Sequence, residues 1–365
     1  MTAWANGSPN PADKDLRVAL VSTVAMNPYV ELLRLGLDAI PGVRAESTRD
    51  LTPAWVWRHR RHLGVIHLHW VELQIASPSR GRALKKFVRL VAAMALARLE
   101  GITFVYTVHN LAHHEGRNAR LNRWANRLVF ALADAVHVHD EGVAAQLAAL
   151  YGRKRGVYVV PHGNYIGAYP VSGTREEARQ RLGLSPQHKV FLFLGQIRPY
   201  KGVEELIAAF RQLEGEDYIL LVAGNPQDAD YAARVEAAAR GDSRIRLRLG
   251  YVPDGELHRY LLAADADVLP YREVTTSGAA LLAFSFGLPI VAPRIGCFPS
   301  LVEGHRGVLY EPGDPRGLAE ALTRAAALDR DAARRDTLAY AESLGWDRLA
   351  RQHLDAYRKA RRSRR

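Results

Sequence analysis

Phe191-Leu192-Phe193-Leu194-Gly195-Gln196-Ile197-Arg198-Pro199-Tyr200-Lys201-Gly202 is the stretch from which the architecture of this chain follows. A short apolar run of this kind reads as a buried parallel strand, and Val203, Leu206, Ile207 and Phe210 beyond it fall at helical spacing. Residues just past the carboxyl end of such a strand are where open α/β sheets hold ligands. Gly195 lets backbone N–H groups approach an anion, while Arg198 and Lys201 bring charge for one. Taken alone, the loop equally fits a strand-to-helix turn with solvated basic side chains.

A second segment adds weight to the anion. Ala263-Ala264-Asp265-Ala266-Asp267-Val268-Leu269-Pro270-Tyr271 reads as a strand. A polar loop with Thr275, Thr276, Ser277 and Gly278 follows, then a helix ending at Gly287 and a strand from Leu288-Pro289-Ile290-Val291. Free N–H groups and the dipole at such a helix start favour negative charge. Two anion-ready helix starts in one half of a chain suit a diphosphate held between them.

These residues together resemble the nucleotide-sugar half of GT-B glycosyltransferases, close to the family 4 group and its bacterial mannosyltransferase-like relatives. In that group a Gly-Arg-x-x-x-x-Lys-Gly loop and a Glu-x7-Glu segment ahead of Gly-x-Pro-Val hold the donor. Gly195 and Lys201-Gly202 match the loop, Asp265 to Pro270 matches its strand, and Gly287-Leu288-Pro289-Ile290-Val291 matches the segment's end. The likeness covers roughly 189 to 346. Gln196 stands where the loop arginine is usual, with Arg198 nearby. Registering on Gly287 puts Val274 and Leu282 at the two glutamate positions, with Glu273 one residue off register. Leu282 cannot accept hydrogen bonds from a ribose, so the resemblance points to an inverting relative or to another grip on the ribose. It implies a donor site of Gly195, Gln196, Arg198, Lys201, Asn225, Tyr251, Thr275, Thr276, Ser277 and Gly278. No cofactor and no metal are implied, because GT-B enzymes neutralise the diphosphate with basic side chains and helix dipoles. The pairs Asp228/Asp230 and Asp265/Asp267 therefore need hold no ion. GDP-mannose is the expected donor, and a glycan or lipid-linked saccharide of polysaccharide biosynthesis the expected acceptor. A GT-B nucleotide-sugar epimerase would share the phosphate loops and is the alternative. A non-catalytic carbohydrate-binding module is another.

At 365 residues, with 48% hydrophobic and 24% charged residues, the chain suits two globular domains, each with its own core. The first half alternates strand and helix patterns, with strands at 17–21, 64–69, 102–107, 135–138 and 156–160. That alternation predicts a doubly wound parallel sheet. The expected organisation is a Rossmann-like acceptor domain over 1–168 joined by a terminal helix over 347–365. A linker over 169–188, with one short helix, and a nucleotide-sugar domain over 189–346 complete it. Cys297, the single cysteine, excludes an internal disulfide and fits a reducing cytosol. The segment from Met1 to Lys14 lacks a signal-peptide core. The expectation is thus a cytoplasmic protein on the inner face of a membrane.

The formal net charge of +12 is concentrated between Arg58 and Arg98 and in the tail from Arg358 to Arg365. Arg82, Lys85, Lys86 and Arg89 fall on one helical face, opposite Leu84, Phe87, Val88, Val91 and Met94. Such a helix suits an anionic membrane surface, or simply a domain helix with a solvated basic face. Nucleic acid is not expected, since no recognition motif accompanies the charge.

Sugar transfer to a hydroxyl with inversion needs a base near a stabilised leaving group. The candidates follow strands of the first half: His109 beside His113-His114-Glu115, Glu72 after His69-Trp70, and Asp140 after His137-Val138-His139. A carboxylate suits the role best, which ranks Glu115, Glu72 and Asp140 in that order.

Overall fold

The computed structural model describes residues 16–24, 27–49, 51–111 and 119–364. They form two compact units, one reaching Pro161 and resuming at Trp346, the other spanning His162–Gly345.

The first unit runs β1 (Leu16–Val21), α1 (Tyr29–Asp38), β2 (Val43–Thr48), α2 (Pro53–His59), β3 (Val65–His69), α3 (Val71–Ile75) and α4 (Arg80–Leu99). It continues through β4 (Thr103–Thr107), α5 (Ala119–Leu132), β5 (Ala135–Val138), α6 (Glu141–Tyr151) and β6 (Val157–Val159). All its strands pair in parallel in the order β2-β1-β3-β4-β5-β6. Five of the six were legible as apolar runs. The sixth, β2, is an edge strand whose Arg44 and Glu46 are exposed, so no apolar run marks it.

Strand alternation gives this sheet two different faces. Ile66, Leu68, Phe104, Tyr106, Val136 and Val138 pack under α2, α4 and α5, against Val56, Leu90, Met94 and Val129. Val65, Val105 and Ala135 face α1 and the terminal helix instead, meeting Leu33, Leu37, Leu354 and Tyr357. Burying each such aliphatic or aromatic side chain contributes about 1.5–3 kcal/mol. Met94 is in this core, contrary to the expectation that it lies with Leu84 and Val88 on an outward apolar face. Leu84 and Val88 do face outward, beside Arg82, Lys85 and Arg89.

The second unit begins with α7 (Arg175–Arg181), β7 (Lys189–Leu194), a 3-10 turn (Pro199–Lys201), α8 (Val203–Phe210), β8 (Tyr218–Gly224) and α9 (Ala229–Ala239). Next come β9 (Ile245–Leu249), α10 (Asp254–Ala263), β10 (Ala266–Val268), α11 (Gly278–Ser285), β11 (Ile290–Pro293) and α12 (Phe298–Leu301). It closes with β12 (Gly307–Tyr310), α13 (Gly317–Ala326) and α14 (Arg330–Ser343), and the chain returns to the first unit as α15 (Trp346–Arg364). This sheet is again parallel, ordered β12-β11-β10-β7-β8-β9.

The division falls at 161/162, earlier than the expected 168/169. The segment expected as a linker carries α7, which docks on the second unit. Arg175 and Arg179 grip the Asp265 carboxylate at 2.6 and 2.8 Å, and the Val190 N–H donates to the same group at 2.8 Å. A carboxylate so paired is held structurally, which explains Asp265 without a metal.

Candidate functional site

In the second sheet the strand order reverses between β7 and β10, the place where the loops leaving two neighbouring strands diverge and open a crevice. Gly195 ends β7 with φ +139, and Gly202 closes the 3-10 turn with φ +68. Space demands glycine as much as dihedral does. A methyl group on Gly202 would lie 2.1 Å from the Pro270 carbonyl oxygen, and one on Gly224 1.6 Å from that of Gly195. The loop after β7 is therefore pressed onto the loop after β10 and the end of β8, and Arg272 N–H ties it further by donating to Tyr200 O at 2.8 Å.

This packing aims Lys201. Its ammonium lies 5.2 Å from the Tyr271 ring centroid, and 3.5 Å from where a Gly195 side chain would begin. Burial lowers its pKa to about 8 against the pull of Asp267, with Arg198 lowering it further. Asp267 is 2% exposed, and burial raises its pKa well above the ordinary value while Lys201 opposes the rise. A cation stripped of much of its water and facing a glycine-lined gap is primed for an anion. Arg198 and Gln196 are beside it, with Arg198 Nε and Nη2 each 3.4 Å from Gln196 Oε1.

The loop after β10 leads to α11. Ser277 is its N-cap, its hydroxyl accepting from Ala280 N–H at 3.2 Å. Thr275 and Thr276 precede it, half-buried. Two residues that the sequence reading placed only in a turn converge here. A methyl group on Gly278 would meet Tyr165 Oη at 3.0 Å and His162 Nε2 at 3.8 Å. His162 Nδ1 donates to Gly163 O at 2.8 Å, which leaves Nε2 as the acceptor nitrogen. The turn Pro161-His162-Gly163-Asn164-Tyr165 was the available signal, but only folding brings it to α11. Asn225 and Tyr251 follow β8 and β9 and are both exposed. Val274 and Leu282 are half-buried, and Val274 O abuts Gly296, so neither contributes a carboxylate where the resemblance would have one.

The first unit treats its strand ends differently. His69 Nδ1 is 3.1 Å from His109 Nε2, and the His109 ring stacks on Trp70 at 3.8 Å between centroids. Trp70 itself has φ +47, the one non-glycine residue with positive φ among the described residues. Glu72, in the first turn of α3, is buried and accepts from Asn110 Nδ2 at 3.2 Å. Asp140 caps α6, accepting from Val143 N–H at 2.9 Å, so its carboxylate already has a structural role. His113, His114 and Glu115 lie outside the described residues.

Below this rim the histidines continue inward. His67, His69, His137 and His353 are fully buried, His109 and His139 nearly so. Burial lowers the pKa of His137 to about 3 and that of His139 to about 4, and pushes His67, His69 and His353 well below the ordinary value. His353 and Tyr357 come from α15, and no spacing in the first half announced them.

Residues 188–327, the sheet with the Lys201 loop and α11, match the family described as Glycosyl transferases group 1. A GDP-mannose:glycolipid 4-beta-D-mannosyltransferase of Xanthomonas campestris pv. campestris is 32% identical over 73% of this chain and 70% of its own length. The chain belongs to the glycosyl transferases group 1 family. A D-inositol 3-phosphate glycosyltransferase of Actinosynnema mirum is 29% identical over 89% of this chain and 79% of its own length. Among solved structures, sucrose-phosphate synthase from Thermosynechococcus elongatus superposes with a TM-score of 0.73, covering 94% of this chain and 98% of its own, at 21% identity. The fold is GT-B, and the protein is a hexosyltransferase using a nucleotide-sugar donor. As a member of the glycosyl transferases group 1 family it departs from the resemblance at Gln196, Val274 and Leu282.

Proposed function

We propose that this glycosyltransferase moves mannose from GDP-mannose to a lipid-linked saccharide, with inversion, at an anionic membrane surface. The observation that carries the donor site is Lys201: a half-buried ammonium facing the Gly195 gap at the reversal point of the sheet, next to the loop that starts α11. Lys201, Arg198 and the free N–H groups of α11 would neutralise the leaving diphosphate, with His162 and Tyr165 near the same helix start. GDP-mannose rests on the Xanthomonas relative, which is named for that donor and for a glycolipid acceptor. Its name also specifies a 4-β-D-mannosyl product, and since the mannose of GDP-mannose is α-linked, such a product requires inversion. The hydrophobic residues at Val274 and Leu282 favour the same outcome. The base would come from the first unit, where Glu72 and His109 gather past β3 and β4.

Support for the membrane comes from the outward layer of α2, α4 and α5. Leu84, Val88 and Leu99 of α4 are exposed, beside Arg82, Lys85 and Arg89. Trp57 and Trp124 on the flanking helices are exposed too, each with an arginine near its ring (Arg60 at 3.5 Å, Arg127 at 5.6 Å). Exposed aromatic and aliphatic groups among basic ones suit an anionic interface.

Incubating the protein with GDP-mannose and a lipid-linked saccharide, and with UDP- and ADP-sugars in parallel, tests the reading. Transfer from GDP-mannose, with an anomeric proton signal of β configuration in the first-formed product, is expected. Transfer from a UDP-sugar alone, or an α product, would overturn the donor or the stereochemistry. Consumption of the sugar nucleotide without acceptor would favour the epimerase.

A further inference from the structure

The imidazoles of His67, His137 and His353 meet although β3, β5 and α15 lie far apart in sequence. Each offers a nitrogen within 4.8 Å of those of the other two, and all three side chains are fully buried. His137 Nδ1 lies 2.7 Å from His353 Nδ1, a distance that requires one proton between two nitrogens. In either tautomer one ring then has a bare Nε2 lone pair and the other an Nε2–H. Neither Nε2 has a hydrogen-bond partner among the described residues. What sets this cluster apart is that three neutral, fully buried imidazoles each bring a nitrogen close enough to the other two to share one ion.

We propose that His67, His137 and His353 form a buried structural zinc site that ties α15 to the first sheet. Three neutral imidazoles suit zinc and its neighbours in the first transition row, whereas magnesium and calcium require oxygen ligands. Zinc–nitrogen distances of about 2.0–2.1 Å place tetrahedral ligands roughly 3.3 Å apart. Ligation therefore requires the His137–His353 pair to open slightly and His67 to close in. No proton leaves the imidazoles, since each keeps its single one on the nitrogen away from the ion. Oxygen donors are at hand for the fourth position. Tyr357 Oη is 2.7 Å from His67 Nδ1, and Thr107 Oγ1 is 2.6 Å from His67 Nε2. A ligand role makes His67 give up one of these two bonds. Coordination by the Tyr357 oxygen as phenolate releases one proton to solvent and halves the net charge of the buried ion. The site is remote in chemistry from the donor loop: it holds a helix in place and takes no part in the transfer.

The test uses the untagged full-length chain, refolded with zinc chloride, dialysed and analysed by plasma mass spectrometry. About one zinc per chain is expected, falling to less than about a tenth in His137→Gln and in His353→Gln, while the exposed-site control His305→Gln keeps it. Refolding with cobalt instead should give the visible d–d bands of a tetrahedral site in the parent and in the control only. Zinc should raise the parent's unfolding temperature and leave the two variants unmoved. A parent that holds no zinc or cobalt, or triad variants that hold as much as the parent, would overturn the proposal. The parent's own metal content decides if either variant fails to fold.

Discussion

The two sheets of this protein are both parallel and both six-stranded, yet their carboxyl ends are built for opposite electrostatics. The second unit presents Lys201, Arg198 and the start of α11, the positive edge of the proposed donor site. The first unit fills the same position with imidazoles that burial keeps neutral. The contrast teaches that one architecture can supply either a charged, ligand-ready edge or an uncharged, inward-facing one, depending on which residues follow each strand.

The largest expected effect breaks the second unit's edge. Gly224→Ala would drive a methyl group into the Gly195 carbonyl at a φ of +154, and should cost about 3 kcal/mol or more. Denaturant unfolding should show a lowered midpoint together with lost nucleotide binding. Unchanged unfolding would mean that the β7 and β8 ends are not so tightly pressed.

Acid should discriminate the two units next. His137 and His139 have folded pKa values of about 3 and 4, below the ordinary value near 6.5. Between those limits the unfolded chain binds more protons. Their stabilisation is therefore complete above about pH 6.5 and falls as the pH drops toward 4, by about 1.4 kcal/mol per group per pH unit. In chelator-treated protein, urea midpoints at pH 7.5 and 5.5 should differ markedly, and the His139→Gln variant should show a shallower dependence. An equal slope in parent and variant would remove His139 from the account.

Lys201→Ala tests the charged edge itself. Losing a charge-assisted contact of about 1.5–3 kcal/mol should raise the nucleotide dissociation constant roughly ten- to a hundredfold. With its pKa at about 8, Lys201 loses its charge as the pH rises through that value, so affinity in the parent should weaken above pH 8. Calorimetry should find this pH dependence absent in Lys201→Ala. Unchanged affinity in both Lys201→Ala and Arg198→Ala would dismantle the donor site.

The smallest effect concerns the outer layer of the first unit. Each basic side chain near an anionic surface contributes about 1 kcal/mol, screened within about 8 Å at physiological salt. The Lys85→Glu/Lys86→Glu variant should sediment poorly with phosphatidylglycerol vesicles at low salt while binding nucleotide as the parent does. Equal sedimentation would shift attention to the basic end of α15.

Much of this was readable in advance where a single short segment carries the information. The Phe191–Gly202 run announced a strand and the glycine-framed basic loop that carries Lys201, because apolar runs and glycine placement are local properties. Asp140 shows where local reading stops: a carboxylate after a strand fits a base and a helix cap alike, and only the Val143 N–H contact reveals the cap. The α4 face shows the same limit, since the helical spacing grouped Met94 with Leu84 but packing under α2 and α5 decides which of them the core receives. His162 and Tyr165 lie more than a hundred residues from Gly278, and no spacing rule links them to it.

By itself the amino-acid sequence determined the two parallel sheets, the glycine-framed basic loop and the absent glutamates at Val274 and Leu282. Strand periodicity, backbone freedom at glycine and side-chain chemistry all belong to neighbouring residues. Tertiary structure alone decided that α7 docks on Asp265 and that His353 joins His67 and His137. It also decided that Lys201 loses enough water to hold its charge weakly. Those outcomes depend on burial and on contacts between distant segments, which exist only once the chain has folded.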